Sequence, residues 1–260
     1  MRNVLLAFLT VLAPPSLVAA EVVDVESPRG VSVRMLIKPA QYAWASVILF
    51  AGGRGVLRIP DDGKLKRLKG NFLVRTSKHQ AKHGIIAAVI DAPSDRPDDL
   101  YGFRDSEDHA TDIAAAIAYM RNRYQLPVWL SGTSRGAVSV ANAATRLQGP
   151  AAPDGVILTS SVFEANDKGA SVMELDLGRI RLPVIIGHHR EDACSVTPVA
   201  MVTEAKAAMV NARAVEVLIY EGGRNLSGNV CAGKHHHGFR GIEMQVIEDL
   251  ANTMKRLQEK

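Results

Sequence analysis

Ser134 stands between two glycines in Gly132-Thr133-Ser134-Arg135-Gly136, and two polar stretches downstream carry the groups a serine would need to react. A serine hydroxyl is a weak nucleophile at neutral pH, so acyl transfer at Ser134 calls for a histidine base and a carboxylate that orients it. The first stretch, His188-His189-Arg190-Glu191-Asp192-Ala193-Cys194, offers carboxylates; the second, Lys234-His235-His236-His237-Gly238-Phe239, offers bases. Asp192 is the preferred acid because it follows a buried strand directly, and Glu191 is the alternative. Five histidines in two clusters also invite a metal reading. Successive loop residues rarely aim three rings at one ion, and no H-E-x-x-H or comparable ligand spacing occurs, so no metal is expected.

These residues need elements to hold them. Short runs rich in Val, Ile and Leu at 45–50, 85–90, 128–131, 155–159, 183–187 and 215–220 read as strands buried on both faces, preceded by a hairpin at 22–25 and 31–37. Between them, helical spacing of apolar residues predicts helices near 71–83, 105–123, 135–147 and 198–211, with a last one at 241–257. Alternating strands and helices imply a mostly parallel sheet of about eight strands with helices on both faces. Ser134 then falls on a strand-turn-helix junction. Glycines flank it because side chains there would collide with neighbouring backbone, and the following helix presents its positive end to a developing negative charge.

The set Phe50-Ala-Gly-Gly-Arg-Gly, Asp91-Ala-Pro-Ser-Asp, Trp129-Leu-Ser-Gly-Thr-Ser134-Arg-Gly, His189-x-x-Asp192-x-Cys194 and His237-Gly-Phe-x-Gly-Ile-Glu243 resembles the exported bacterial α/β-hydrolases. It is similar, more distantly, to dienelactone-hydrolase-like and esterase members. The resemblance implies the α/β-hydrolase fold and the chain order serine, acid, histidine. It makes His237, which precedes Gly-Phe and the terminal helix, the base. It also implies an oxyanion hole built from the Arg135 N–H and a second donor, Gly53 or Arg54, in the glycine loop 50–57, where Ala51 stands in place of a histidine. The cluster 91–96 opens on the same edge and reads equally as pocket lining or as a structural turn. Residues 160–182 are too few for a lid domain, which suggests an open site for small or extended ester or amide substrates.

Residues 1–20 have one positive charge at Arg2, an apolar run, a Pro14-Pro15 break and small residues at 18–20, the pattern of a secretory signal cleaved near Ala20. An exported, periplasmic or secreted domain at 21–260 is expected, without stable membrane insertion. Cys194 and Cys231 are then expected to pair, tying the acid stretch to the base stretch. A net charge of +4 with interspersed signs and 5% aromatic residues argues against nucleic-acid binding. The basic run 64–69 reads as a solvated face. No cofactor is required, and nothing fixes an oligomeric state. Peptidase, amidase or thioesterase chemistry would use the same residues, and a non-catalytic binding protein on this scaffold is the alternative of a different class.

Overall fold

The structure is a computed structural model describing residues 19–259, so residues 1–18 of the expected signal lie outside the described residues. The strands are β1 (Glu21–Ser27), β2 (Val31–Lys38), β3 (Ala45–Phe50), β4 (Ile85–Pro93), β5 (Val128–Thr133), β6 (Gly155–Thr159), β7 (Pro183–His189) and β8 (Ala214–Tyr220). They form one sheet in the order β1-β2-β4-β3-β5-β6-β7-β8. β1 and β2 make an antiparallel hairpin and β2 pairs antiparallel with β4; every later pairing is parallel. This is the mostly parallel architecture that the sequence implies.

Successive side chains of a strand point to opposite faces, and here both faces are apolar. Ile48, Leu130, Val156 and Val184 pack into one layer, with α2 (Glu107–Tyr124), α3 (Gly136–Arg146) and α4 (Met201–Ala208). Val47, Trp129, Ile157 and Ile185 pack into the other, with α1 (Phe72–Thr76) and α5 (Glu243–Gln258). The sheet's carboxyl edge is left to loops, which is where ligands bind in open α/β sheets. Between β6 and β7 lie a loop and two single 3-10 turns, Val172–Glu174 and Leu177–Arg179, and no lid domain.

Several element boundaries differ from expectation: β4 and β5 run on to Pro93 and Thr133, and three others differ for local reasons. The helix expected at 71–83 is α for five residues and then a 3-10 helix, Ser77–His83. Thr76 Oγ1 donates to Phe72 O at 2.7 Å and Ser77 Oγ to Val74 O at 2.8 Å, and such back-bonds compete with the α ladder. The helix expected at 198–211 is confined to α4, because the turns before it close by i→i+3 bonds from Met201 N to Pro198 O and from Val202 N to Val199 O. β7 runs two residues further than expected, so His188 and His189 are buried strand residues and the polar turn begins at Arg190.

Gly155 pairs with Trp129 across β5 and β6, and a Cβ there would lie 2.5–2.6 Å from three atoms of the indole ring. Trp129 cannot retreat easily, since it is fully buried and its Nε1 donates to Gln258 Oε1 at 2.8 Å. Gly155→Ala is therefore expected to cost about 1–3 kcal/mol by overpacking, read as a lower urea midpoint at unchanged m-value.

Candidate active site

Between β5 and α3 the backbone of Ser134 adopts φ +56°, a left-handed conformation that costs a non-glycine residue roughly 1–3 kcal/mol. Surrounding contacts enforce it. Ser134 N donates to Thr159 O at 2.9 Å. A Cβ on Gly132 would lie 2.3 Å from Gly136 O, and one on Gly136 would lie 2.1 Å from Phe50 O, so α3 docks on β3 at a distance only glycine permits. The Arg135 N–H, at the open start of α3, donates to no acceptor among the described residues.

The glycine loop approaches the serine from β3. A Cβ on Gly52 would lie 2.9 Å from Ser134 Cβ and 2.8 Å from Thr133 O. Gly53 and Gly55 have φ of +61° and +80°. Neither the Gly53 nor the Arg54 N–H finds an acceptor among the described residues. Gly53 lines a cavity shared with Ser134, whereas Arg54 is not part of that lining; its side chain extends outward to Asp99 at 3.5 Å and over the Tyr101 ring. Asp91 does not line this cavity either. Its carboxylate accepts from Leu57 N at 2.7 Å and Ile59 N at 2.8 Å, so it fixes the chain after the glycine loop.

His237 Nδ1 lies 2.9 Å from Asp192 Oδ2, and the two side chains are 5% and 0% exposed. A carboxylate only accepts, so Nδ1 carries the proton and Nε2 keeps its lone pair. Asp192 Oδ1 accepts from Cys194 N at 3.0 Å, and Thr197 Oγ1 donates to Oδ2 at 2.9 Å. His188 Nε2 donates to Thr197 O at 2.9 Å, bracing that turn from below, and burial lowers its pKa so that it stays neutral. Burial opposes ionisation of Asp192, yet the hydrogen bond and charge of His237, with the Cys194 N–H, hold its carboxyl below the ordinary range. Glu191, the alternative acid, is exposed and faces His236 at 3.8 Å rather than His237.

His237 sits in a single 3-10 turn, His236–Gly238, closed by Phe239 at φ +56°. Arg75 anchors that turn: it donates to Gly238 O and Gly70 O and pairs with Glu243 at 3.1 Å. A Cβ on Gly233 would lie 2.1 Å from Gly70 O, which presses this loop against the start of α1. Cys194 and Cys231 form a disulfide across 37 residues, joining the Asp192 turn to the His237 loop. Thr197, His188 and Arg75 escaped the sequence reading because their partners lie 5 to 168 residues away and no local pattern marks them.

Ser134 and His237 line one cavity of about 40 Å³, together with Gly52, Gly53, Phe72 and Cys231. No hydrogen bond joins Ser134 Oγ to His237 among the described residues; such contacts commonly tighten only around substrate. The other histidines do not converge on this space. His189, Glu191 and His236 bring ligand-capable atoms within 4.8 Å of one another. Both nitrogens of His189 are engaged, however, Nδ1 by Glu191 N at 3.0 Å and Nε2 by Gly222 O at 2.8 Å, and its ring stacks on His236 at 4.1 Å. The two rings form a stacked pair.

No protein-family model and no curated protein matches the chain. Among solved structures it is similar to a dienelactone hydrolase from Anabaena variabilis, with 12% identity over 92% of this chain and 98% of that one, at a TM-score of 0.63. A thermophilic esterase from Thermogutta terrifontis gives 18% identity over 94% and 97% at 0.60. An α/β serine hydrolase without a lid from Xanthomonas campestris gives 12% over 92% and 98% at 0.58. The chain thus has the α/β-hydrolase fold, and the lidless neighbour matches the short segment between β6 and β7.

A carboxylate whose folded pKa is depressed contributes stability above its unfolded pKa and loses it as pH falls through the folded value. Asp192→Asn should therefore destabilise the protein at pH 7 by more than at pH 3. Urea unfolding of both proteins at the two pH values measures the difference, and an unchanged gap would contradict the Asp192–His237 coupling.

Proposed function

We propose that the chain is an exported serine hydrolase that cleaves carboxylic esters, with Ser134 as nucleophile, His237 as general base and Asp192 as the carboxylate that orients it. The observation that carries this reading is the buried 2.9 Å bond from His237 to Asp192 beside a cavity that Ser134 also lines. His237 Nε2 takes the proton as Ser134 Oγ attacks the ester carbonyl carbon. The carbonyl oxygen becomes an oxyanion that accepts from the Arg135 N–H and, of the two candidates in the glycine loop, from the N–H of Gly53, which is the one of the two residues that lines the cavity. Each such donor is worth roughly 3–4 kcal/mol in acyl transfer. The tetrahedral centre collapses, the C–O bond to the alcohol breaks, and the alkoxide leaves with the proton from His237. Water then attacks the acyl-enzyme, passing its proton to His237, and the acid departs as Ser134 recovers its hydrogen.

Export is supported by the leader pattern in the sequence and by the disulfide, since disulfides persist in oxidising compartments. In the chain-entropy account a bridge across 37 residues stabilises by roughly 3–4 kcal/mol. It also limits how far Asp192 and His237 drift apart.

The cavity that Ser134 and His237 line, about 40 Å³ and partly open to solvent, favours a small acyl group. Its walls are the backbone of Gly52, Gly53, Gly233 and Gly238 and the Cys231 half of the disulfide, together with the side chains of Asn71, Phe72 and Thr133. The enzyme is expected to turn over p-nitrophenyl acetate at least ~10-fold better in kcat/KM than the octanoate ester, with activity abolished in Ser134→Ala; a preference for octanoate would contradict the acyl assignment. Reduction of the folded enzyme, verified by thiol titration, should lower kcat, and undiminished turnover would separate the disulfide from catalysis.

A further inference from the structure

Beneath the glycine loop lies a cation that the reaction described above does not use. Arg104 is 5% exposed and has no carboxylate within ion-pair distance among the described residues, an arrangement that is costly for a buried charge unless other groups answer it. Backbone carbonyls answer it here. Arg104 Nη2 donates to Ala51 O at 3.0 Å and Gly53 O at 3.3 Å, and Nη1 donates to Ser139 Oγ at 2.8 Å on α3. Ser139 in turn shares a hydrogen bond with His109 Nε2 at 2.9 Å. Burial, and next the charge of Arg104, push the His109 pKa down to about 3, so the imidazole is neutral and adds no competing charge. Desolvation, followed by the nearby Arg135, lowers the Arg104 pKa to about 9, which leaves it charged at neutral pH. The loop is shaped around the guanidinium: a Cβ on Gly55 would lie 2.3 Å from Arg104 Nη2.

A peptide unit is planar, with C=O and N–H on opposite sides of a trans bond. Holding Ala51 O and Gly53 O fixes the two peptide units on either side of the Gly52–Gly53 unit and turns the N–H groups of Gly52 and Arg54 away from the guanidinium. The Gly53 N–H between them then has its direction set by two pinned neighbours. Both candidates for the second oxyanion donor, Gly53 and Arg54, are thereby fixed by one side chain, which is itself anchored to the helix that follows Ser134. We propose that Arg104 is the positioning residue of the oxyanion hole, holding the glycine loop so that its N–H groups meet the oxyanion that forms at Ser134. The kinetic consequence rests on the ester-hydrolase reading; the structural one does not.

The test compares wild type with Arg104→Met and Arg104→Lys by amide hydrogen exchange and by steady-state kinetics on p-nitrophenyl acetate. Arg104→Met is expected to raise exchange of peptides spanning 51–55 at least ~10-fold while peptides from α5 keep wild-type protection, and to lower kcat on the order of 100-fold with KM within about threefold. A trifluoromethyl ketone, which forms a tetrahedral adduct, should lose affinity in parallel with kcat. A purely structural role would not link those two readouts. Arg104→Lys keeps the charge but cannot bridge both carbonyls, so it should fall between the two, and it decides the question if the methionine variant does not fold. Wild-type exchange at 51–55 in a folded variant, or wild-type kcat, overturns the proposal. If wild type hydrolyses no ester, the functional reading falls while the exchange result still decides the role of Arg104.

Discussion

The contact between the Gly136 backbone and the Phe50 carbonyl, closer than any side chain would allow, is the constraint from which the site follows. It sets α3 directly on β3, brings the glycine loop that leaves β3 against Ser134, and holds Ser134 in a left-handed backbone. The strain of that residue is offset by the packing around it, a pattern that recurs where a fold stores conformational energy at a functional position. The glycine loop and the elbow meet where a Cβ on Gly52 would lie 2.8 Å from Thr133 O, so no side chain separates the loop from Ser134.

The opposite wall is built by different means. Asp192 and His237 come from separate loops after β7 and β8, and the regular structure of the second is a single 3-10 turn, His236–Gly238. A covalent bridge, Cys194–Cys231, and an ion pair, Arg75–Glu243, take the place of secondary structure. Asp192 is buried, so its charge is tolerable only because His237, Thr197 and the Cys194 N–H all direct donors at it. The small cavity and the bridged wall share Cys231, so the disulfide that ties the Asp192 turn to the His237 loop also borders the space beside Ser134.

The sheet was legible because a strand buried on both faces needs an unbroken apolar run, and such runs stand out between polar turns. Boundaries failed where polar residues satisfy themselves locally. His188 and His189 look like a turn, yet each finds a carbonyl for its Nε2 and stays inside β7; Thr76 and Ser77 look helical, yet their hydroxyls draw the chain into a 3-10 turn. At the candidate site, Ser134, Asp192 and His237 stand out in the sequence because each sits in a recognisable local setting, and the structure bonds His237 to Asp192 and puts Ser134 and His237 on one cavity. Arg75 and Arg104 do not stand out, since a lone arginine carries no sign of the distant carbonyl it will meet.

In the proposed mechanism Ser134 reacts because His237, oriented by Asp192, removes its proton. The most direct measurement treats the folded, oxidised protein with a fluorophosphonate and maps the adduct by peptide mass spectrometry. The account predicts a single adduct on Ser134 that forms rapidly in wild type and is nearly lost in His237→Ala. An adduct on another residue, or labelling of Ser134 that does not depend on His237, would contradict it.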